Sequence, residues 1–209
     1  MTIEFTFDAD THTYTAEGTK VPSVSQILQT VGLVDYAGID PAVLRYAAER
    51  STAVHLASQF WDEGDLDLES VDPLIAGYVS AWKSFRTLHP FTITASERAG
   101  IGDLDGMRFG MTLDRLVDFG DRRMCVLDIK CTTKVHEWAA IQLAAYAIGL
   151  AAEGTPRERL MKCRRAVVHL KRDGIFKFHE FKDPNDGDIF ACALRIAHWK
   201  NGSYKENGR

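Results

Sequence analysis

The chain has no CxxC pair and no cysteine–histidine cluster at zinc-ligand spacing. Its four cysteines, Cys125, Cys131, Cys163 and Cys192, are scattered singly, so neither a disulfide framework nor a zinc ribbon is indicated. There is no secretory apolar core segment and no long uninterrupted apolar run, and the expectation is a reduced, soluble, cytoplasmic protein with no membrane partner. A P-loop, a Rossmann fingerprint, an HExxH helix and a serine elbow are all missing, which removes ATP-driven hydrolysis, dinucleotide chemistry, zincin chemistry and serine acyl transfer. Repeats, low-complexity tracts and domain linkers are also missing. One domain is therefore expected across residues 1–209, with a frayed tail over 201–209.

Charge of one sign is lacking as well. The net charge of −4 over 209 residues argues against coating nucleic acid indiscriminately. The charge is uneven, however: residues 1–156 carry −10 and residues 157–209 carry +6. With 45% hydrophobic residues, the chain can close a substantial core without disulfides.

What is present is an ordered set of polar residues inside apolar elements. Alternation at Ile3–Phe7 and His12–Thr15, with a Glu17-Gly18 turn before Lys20-Val21, predicts an opening hairpin. Pro22-Ser23 leads into a short helix bearing Val24, Ile27 and Leu28. Asp40-Pro41 starts a helix to about Trp61, with Leu44, Ala48, Ser51 and His55 along its seam. Asp72-Pro73 starts another, with Leu74, Ile75, Tyr78, Val79, Trp82 and Phe85 as its apolar stripe.

Phe91–Glu97 predicts a strand with Glu97 in phase with Phe91, Ile93 and Ala95. A carboxylate in that phase needs a partner, either a metal or an arginine such as Arg98 or Arg115. Phe109–Val117 and Met124–Ile129 flank turn chemistry at Phe119–Arg122 and predict a hairpin. A turn centred between Gly120 and Asp121 puts Asp114 opposite Leu127, beside Asp128, close enough for two carboxylates to share a cation. Asp128 and Lys130 are two apart and so share a face. Magnesium or manganese held there would polarise a phosphoryl oxygen and acidify the attacking water, with Lys130 near the water or the scissile phosphate. The plain alternative is a lysine paired with an aspartate.

Trp138–Leu150 reads as a helix apolar almost all round, with Gln142 and Tyr146 stacked on one face, either contacting a nucleotide or bonding helix to sheet. A hairpin over Ala166–Leu170 and Ile175–Phe181 and a helix over Asp188–Trp199 follow. Arg157, Arg159, Lys162, Arg164 and Arg165 form a basic cluster, with Lys171 and Arg172 at the next turn. They make either phosphate contacts or a solvated basic face. His55 on its seam is either a metal ligand or a satisfied core histidine.

Taken in order, His55, Glu97, Asp114, Asp128-Ile129-Lys130 and the Gln142-to-Tyr146 QxxxY helix resemble the PD-(D/E)XK nuclease superfamily. The phage-type, RecB-like recombination exonuclease branch fits best. Phe7-Asp8 with His12 and Tyr14, then Val21-Pro22-Ser23-Val24, resemble the start of phage-type members, and coverage runs from about residue 5 to 150. The resemblance implies an α/β fold with a mixed central sheet flanked by helices, a restriction-endonuclease-like core. It also implies that Asp114, Asp128, the Ile129 carbonyl and His55 hold metal, that Lys130 is catalytic, that Glu97 is the upstream acid, and that Gln142 and Tyr146 contact DNA. The implied activity is metal-dependent cleavage of DNA, often from an end. A structure-specific or restriction-like endonuclease and a noncatalytic DNA-binding or recombination-partner module remain open readings.

This sequence departs from many relatives in carrying Asp128 in place of Glu and in having no proline before Asp114. Cys163 and Cys192 lack the grouped cysteines of iron–sulfur relatives, so no iron–sulfur cluster is expected. With no fused helicase, processivity is expected from a homo-oligomer or from a recombination or single-strand-binding protein, in the cytoplasm of a cell or of a phage host.

Overall fold

A computed structural model of the chain describes residues 3–121, 123–152, 154–155 and 163–202. The opening segment forms a three-stranded antiparallel sheet, β1 Phe5–Asp8, β2 Thr13–Ala16 and β3 Thr19–Val21. Ser23 then caps α1 (Val24–Thr30) in a reciprocal box with Gln26, and Val24, Ile27 and Leu28 are buried as expected. Asp40 caps α2 (Pro41–Glu63), which stops at Gly64 in the left-handed conformation. The fully buried positions of α2 are Val54, Ala57 and Ser58, while of the predicted seam Leu44, Ser51 and His55 are half-buried and Ala48 is exposed.

Asp72-Pro73 makes a capping turn ahead of α3 (Ala76–Leu88) rather than starting the helix. Leu74 is consequently exposed, while Tyr78, Val79, Trp82 and Phe85 form the buried stripe. The central sheet follows: β4 Thr92–Leu104, β5 Met107–Asp118, β6 Met124–Lys130, β7 Arg164–Leu170 and β8 Phe176–Phe181, in that spatial order. Only β6 and β7 are parallel. Such a pair needs a long crossover, and α4 (Trp138–Ala152) lies within it. The last helix, α5, spans Asn185–Lys200.

Each side of this mixed sheet has its own core. Val126 and Val167 pack with α1, α4 and α5, while Leu127, Ala166 and Val168 pack with α2 and α3. The period of two along each strand thus feeds two helical layers, which is why α4 is buried on nearly every side.

The small sheet is anchored to β5. Gly110 donates its amide to the Pro22 carbonyl at 2.9 Å, and a Cβ on Gly110 would stand 2.1 Å from the Tyr14 ring. Glycine is therefore required for the ring to lie on the strand, and Tyr14 there joins its hydroxyl to Thr112 at 2.6 Å.

Two registers differ from the sequence reading. Strand β4 continues seven residues past Glu97, and a bulge between Ile93 and Ala95 resets its phase. In the β5–β6 hairpin Arg115 faces Leu127, one residue from the predicted pairing, because the turn centres on Asp121. Of the basic cluster, Arg157, Arg159 and Lys162 lie outside the described residues, as does the tail from residue 203. No helix is long and apolar enough to cross a membrane among the described residues.

Candidate active site

The paired ladder between β5 and β6 ends at Arg115 and Leu127, and the site occupies the place where the strands part. There the Asp114 side chain does the work of a missing strand partner, accepting the Ile129 amide at 2.7 Å. The other backbone group of Ile129 is taken from α2: its carbonyl lies 3.0 Å from His55 Nε2. The backbone of this one residue thereby ties strand β6 to a β5 carboxylate and an α2 imidazole.

His55 Nδ1 lies 3.5 Å from Glu97 Oε1 and 3.7 Å from Asp114 Oδ2. These three side chains form a group that could hold a metal ion. Asp128 and Lys130 share the α4 face of β6. Lys130 Nζ is 2.9 and 3.0 Å from the two Asp128 oxygens and donates to Gln142 Oε1 at 3.2 Å. Gln142 passes the connection on, donating to the Tyr146 hydroxyl at 2.8 Å. Asp128, Lys130, Gln142 and Tyr146 are therefore one hydrogen-bonded line from strand to helix.

The electrostatics follow from crowding three carboxylates into a buried pocket. Burial opposes the imidazolium of His55, yet Asp114, Glu97 and Asp128 outweigh it and hold the ring up at about 9. Burial pushes Asp114 up to about 6, reinforced by Asp128 and Glu97 and opposed by His55 and Lys130. Glu97 is driven up by burial, but His55 and Arg115 prevail and its carboxyl sits below the ordinary range. For Lys130, burial is overcome by Asp128 and Asp114, so the ammonium is held above its usual value. Tyr146 is raised well above the phenol range by burial and by the two aspartates, and it keeps its proton.

The sequence reading offered Arg115 as a partner for Glu97, and the structure makes it the centre of this charge arrangement, reaching partners the sequence did not suggest. Arg115 is wholly buried. It reaches Asp62 at 3.1 Å, Glu97 at 2.9 Å, the Asp114 carbonyl at 2.7 Å and Ser58 Oγ at 3.0 Å. Asp62 is in turn held by Arg86 at 2.9 Å and by the Trp82 indole at 3.2 Å. An arginine inside a run of buried β5 residues was the available signal, since a buried charge demands partners. Glu97 has a backbone φ of +44°, a strained conformation that Arg115 and His55 hold in place.

A cavity of about 400 Å³ opens over these groups, walled by Tyr14 and Ser23 on one side and by Ser51, Thr52 and Gln59 of α2 on the other. His55, Glu97, Asp114, Asp128, Lys130, Gln142 and Tyr146 all face it. Arg164 and Arg165 are not brought there. They begin β7 at the far end of the strands, where Arg164 pairs with Glu180 at 2.6 Å and Arg165 with Asp186 at 2.8 Å.

The donor set suits a divalent cation. Asp128 Oδ2 is buried and, though ion-paired with Lys130, accepts no hydrogen bond, and the His55–Glu97–Asp114 group offers one nitrogen and carboxylate oxygens.

A model of the PD-(D/E)XK nuclease superfamily matches residues 24–203, and the chain belongs to that superfamily. Membership implies a nuclease that uses a divalent metal. Among solved structures, the crystal structure of SSO0001 is similar at 13% identity and a TM-score of 0.38, covering 85% of this chain and 84% of that one. No curated protein matches the chain.

Proposed function

We propose that this chain is a DNA exonuclease of the phage-type, RecB-like branch, hydrolysing phosphodiesters with magnesium or manganese in recombination, replication or DNA processing. The observation that carries this reading is the line Asp128–Lys130–Gln142–Tyr146 lying beside His55, Glu97 and Asp114 in one cavity. Those residue types in that order are what the branch resemblance rests on. A recombination or single-strand-binding protein and further copies of this chain are the proposed partners, in the cytoplasm of a cell or of a phage host, and residues 1–209 are proposed as one nuclease domain.

Asp114, Glu97 and His55, with Asp128 and the Ile129 carbonyl next to them, would hold the metal. When bound, the metal supplies Lewis-acid polarisation of the phosphate and an acidified water. To join as a ligand through Nδ1, His55 gives up the proton that it keeps among the carboxylates, and the ring stays anchored at Ile129.

Lys130 acts as a fixed cation. Its ammonium is held charged by Asp128 and aimed by Gln142, so it can stabilise charge building on the phosphate in the transition state. It is too well stabilised as an ammonium to serve as the general base at neutral pH. Gln142 and Tyr146 fix the lysine from α4 and present polar atoms at the cavity wall for the nucleotide. Arg164 and Arg165 are proposed to contact DNA only beyond the cleft.

The test is metal-dependent product formation from end-labelled linear DNA and matched closed circular DNA, with K130A and D114A alongside. Cleavage of linear DNA alone, lost in both variants, supports the exonuclease. Cleavage of closed circles makes the enzyme an endonuclease, and no cleavage by folded parent protein makes it a binding module.

A further inference from the structure

A second polar cavity, of about 330 Å³, lies on the same face of the sheet as the catalytic lysine. In the register across β6, β7 and β8, Lys130 stands beside His169 and His169 beside Lys177, while Asp128, Val167 and His179 form the next row. Side chains in register point to the same face, so the catalytic pair and the lining of this cavity face the same way. Two strand spacings, about 10 Å, separate the Lys130 and Lys177 backbones. At about 3.4 Å of rise per nucleotide, that is the span of roughly three nucleotides of one strand.

The chemistry of the cavity is cationic. Lys134, Lys171 and Lys177 line it with His136, His169 and His179, against one acid, Glu137. None of the three lysines forms an ion pair with a carboxylate among the described residues. Two of the cavity's polar groups also brace the loop joining it to the active site: the Lys171 ammonium donates to the Thr133 carbonyl at 3.0 Å, and His169 Nε2 lies 2.7 Å from the Thr132 carbonyl. That loop carries the His136 ring stacked near Trp138, which in turn lies under the Lys130 ammonium at 5.6 Å. His179 Nε2 is buried with no hydrogen-bond partner, a polar atom left for a ligand. In a chain of net charge −4, an excess of unpaired cations in a hollow beside the catalytic end calls for an anion.

We infer that this cavity binds a backbone phosphate of the nucleic-acid strand, a few nucleotides from the bond held at Lys130. The inference rests on the nuclease reading for the strand's path, while the cavity's affinity for phosphates can be measured separately. Lys134 and Lys177 supply the mobile charge, and Lys171 and His169 keep the loop in place. The site sets how firmly the strand is gripped, not how fast the bond is cut.

The experiment uses the full chain carrying K134A/K177A, both exposed positions whose loss leaves the core intact. Fluorescein-labelled linear DNA is titrated without divalent metal on a D114N background across 50–200 mM salt. The expected result is at least a tenfold weaker Kd and a salt slope smaller by about 1, as for one phosphate no longer neutralised. Hydrolysis of bis(p-nitrophenyl) phosphate by K134A/K177A with Asp114 intact is expected to match the parent, because a single small diester reaches only the active site. Unchanged affinity and slope overturn the inference, and so does slower hydrolysis of the small diester. If the parent hydrolyses neither DNA nor diester but the slope still falls, the phosphate cavity stands and the exonuclease reading does not.

Discussion

Asp114 accepts the Ile129 amide at 2.7 Å, so the carboxylate that ends the β5 ladder also fixes the backbone of the strand bearing Asp128 and Lys130. Asp114 and the Asp128–Lys130 pair, the groups proposed to be catalytic, are thereby located relative to one another by a bond that ends on main chain. The arrangement is expensive without metal, because burial and two neighbouring carboxylates push Asp114 up to about 6. D114N is expected to fold in EDTA at least as firmly as the parent, since the amide oxygen can still accept from Ile129 and the buried charge is gone. Parent protein should gain about 2.7 kcal/mol of stability at a metal concentration 100 times its Kd. D114N should lose most of that gain, as read from thermal unfolding with and without magnesium or manganese.

His55 gives a pH dependence with a definite sign. Its folded value of about 9 lies above the ordinary imidazole value of 6.5, so the folded state binds the proton more tightly. The resulting stabilisation is fully present below pH 6.5 and is lost as pH rises through 9, an effect on the order of 2–3 kcal/mol. Denaturant unfolding in EDTA between pH 6 and 9.5 is expected to show this decline, and H55Q should flatten it. A parent curve level across that window would mean that the ring is neutral in the folded protein.

The line from Asp128 to Tyr146 predicts graded losses of activity. K130A removes the cation itself and should lower kcat by about 10²–10³-fold. Q142A removes only the group that aims Lys130, and a loss of about 10–100-fold is expected, with Y146F milder still. K130R is not a rescue, because the planar fork of arginine cannot sit between Asp128 and Gln142 as an ammonium does. Single-turnover rates at saturating metal would rank the variants, and equal losses in K130A and Y146F would contradict the relay.

Much of this site is legible in the sequence because it is built from period and spacing. Asp128 and Lys130 share a face because strands alternate, and Gln142 and Tyr146 stack because helices repeat every 3.6 residues; both relations hold in the structure. The flanked mixed sheet was implied by the resemblance to the superfamily, and the structure has it. What escaped depends on backbone irregularity or on distant partners. The bulge in β4 shifts the phase that was used to place Glu97, and a turn centred on Asp121 moves the hairpin register by one residue. The role of Arg115 depends on Ser58 and Asp62, more than 50 positions earlier, which no local pattern connects to it. The basic run near residue 160 reads as phosphate contacts or as a solvated basic face, and its described members, Arg164 and Arg165, pair with Glu180 and Asp186 away from the cavity. Local charge density does not reveal whether a cation already has a partner inside the fold.

Arg115 itself yields the sharpest stability prediction. It is wholly buried, and its guanidinium is the link between Asp62, under the α2–α3 layer, and Glu97, at the cavity. R115L leaves Asp62 with Arg86 and the Trp82 indole alone and leaves Glu97 in a strained conformation without its main tether. Breaking a buried pair from one side costs about 3–5 kcal/mol, while replacing both sides by apolar groups is often nearly neutral. R115L is therefore expected to lower stability by that amount in denaturant unfolding, and R115L/D62L to recover only part of it, since Arg86 and the Trp82 indole then lose Asp62. The double variant should still be impaired in metal binding and turnover, because Asp62 serves the fold whereas Glu97 serves the site. Recovery of stability without recovery of metal affinity would separate the two duties of this one arginine, whereas full recovery of both would show that Glu97 holds its position without it.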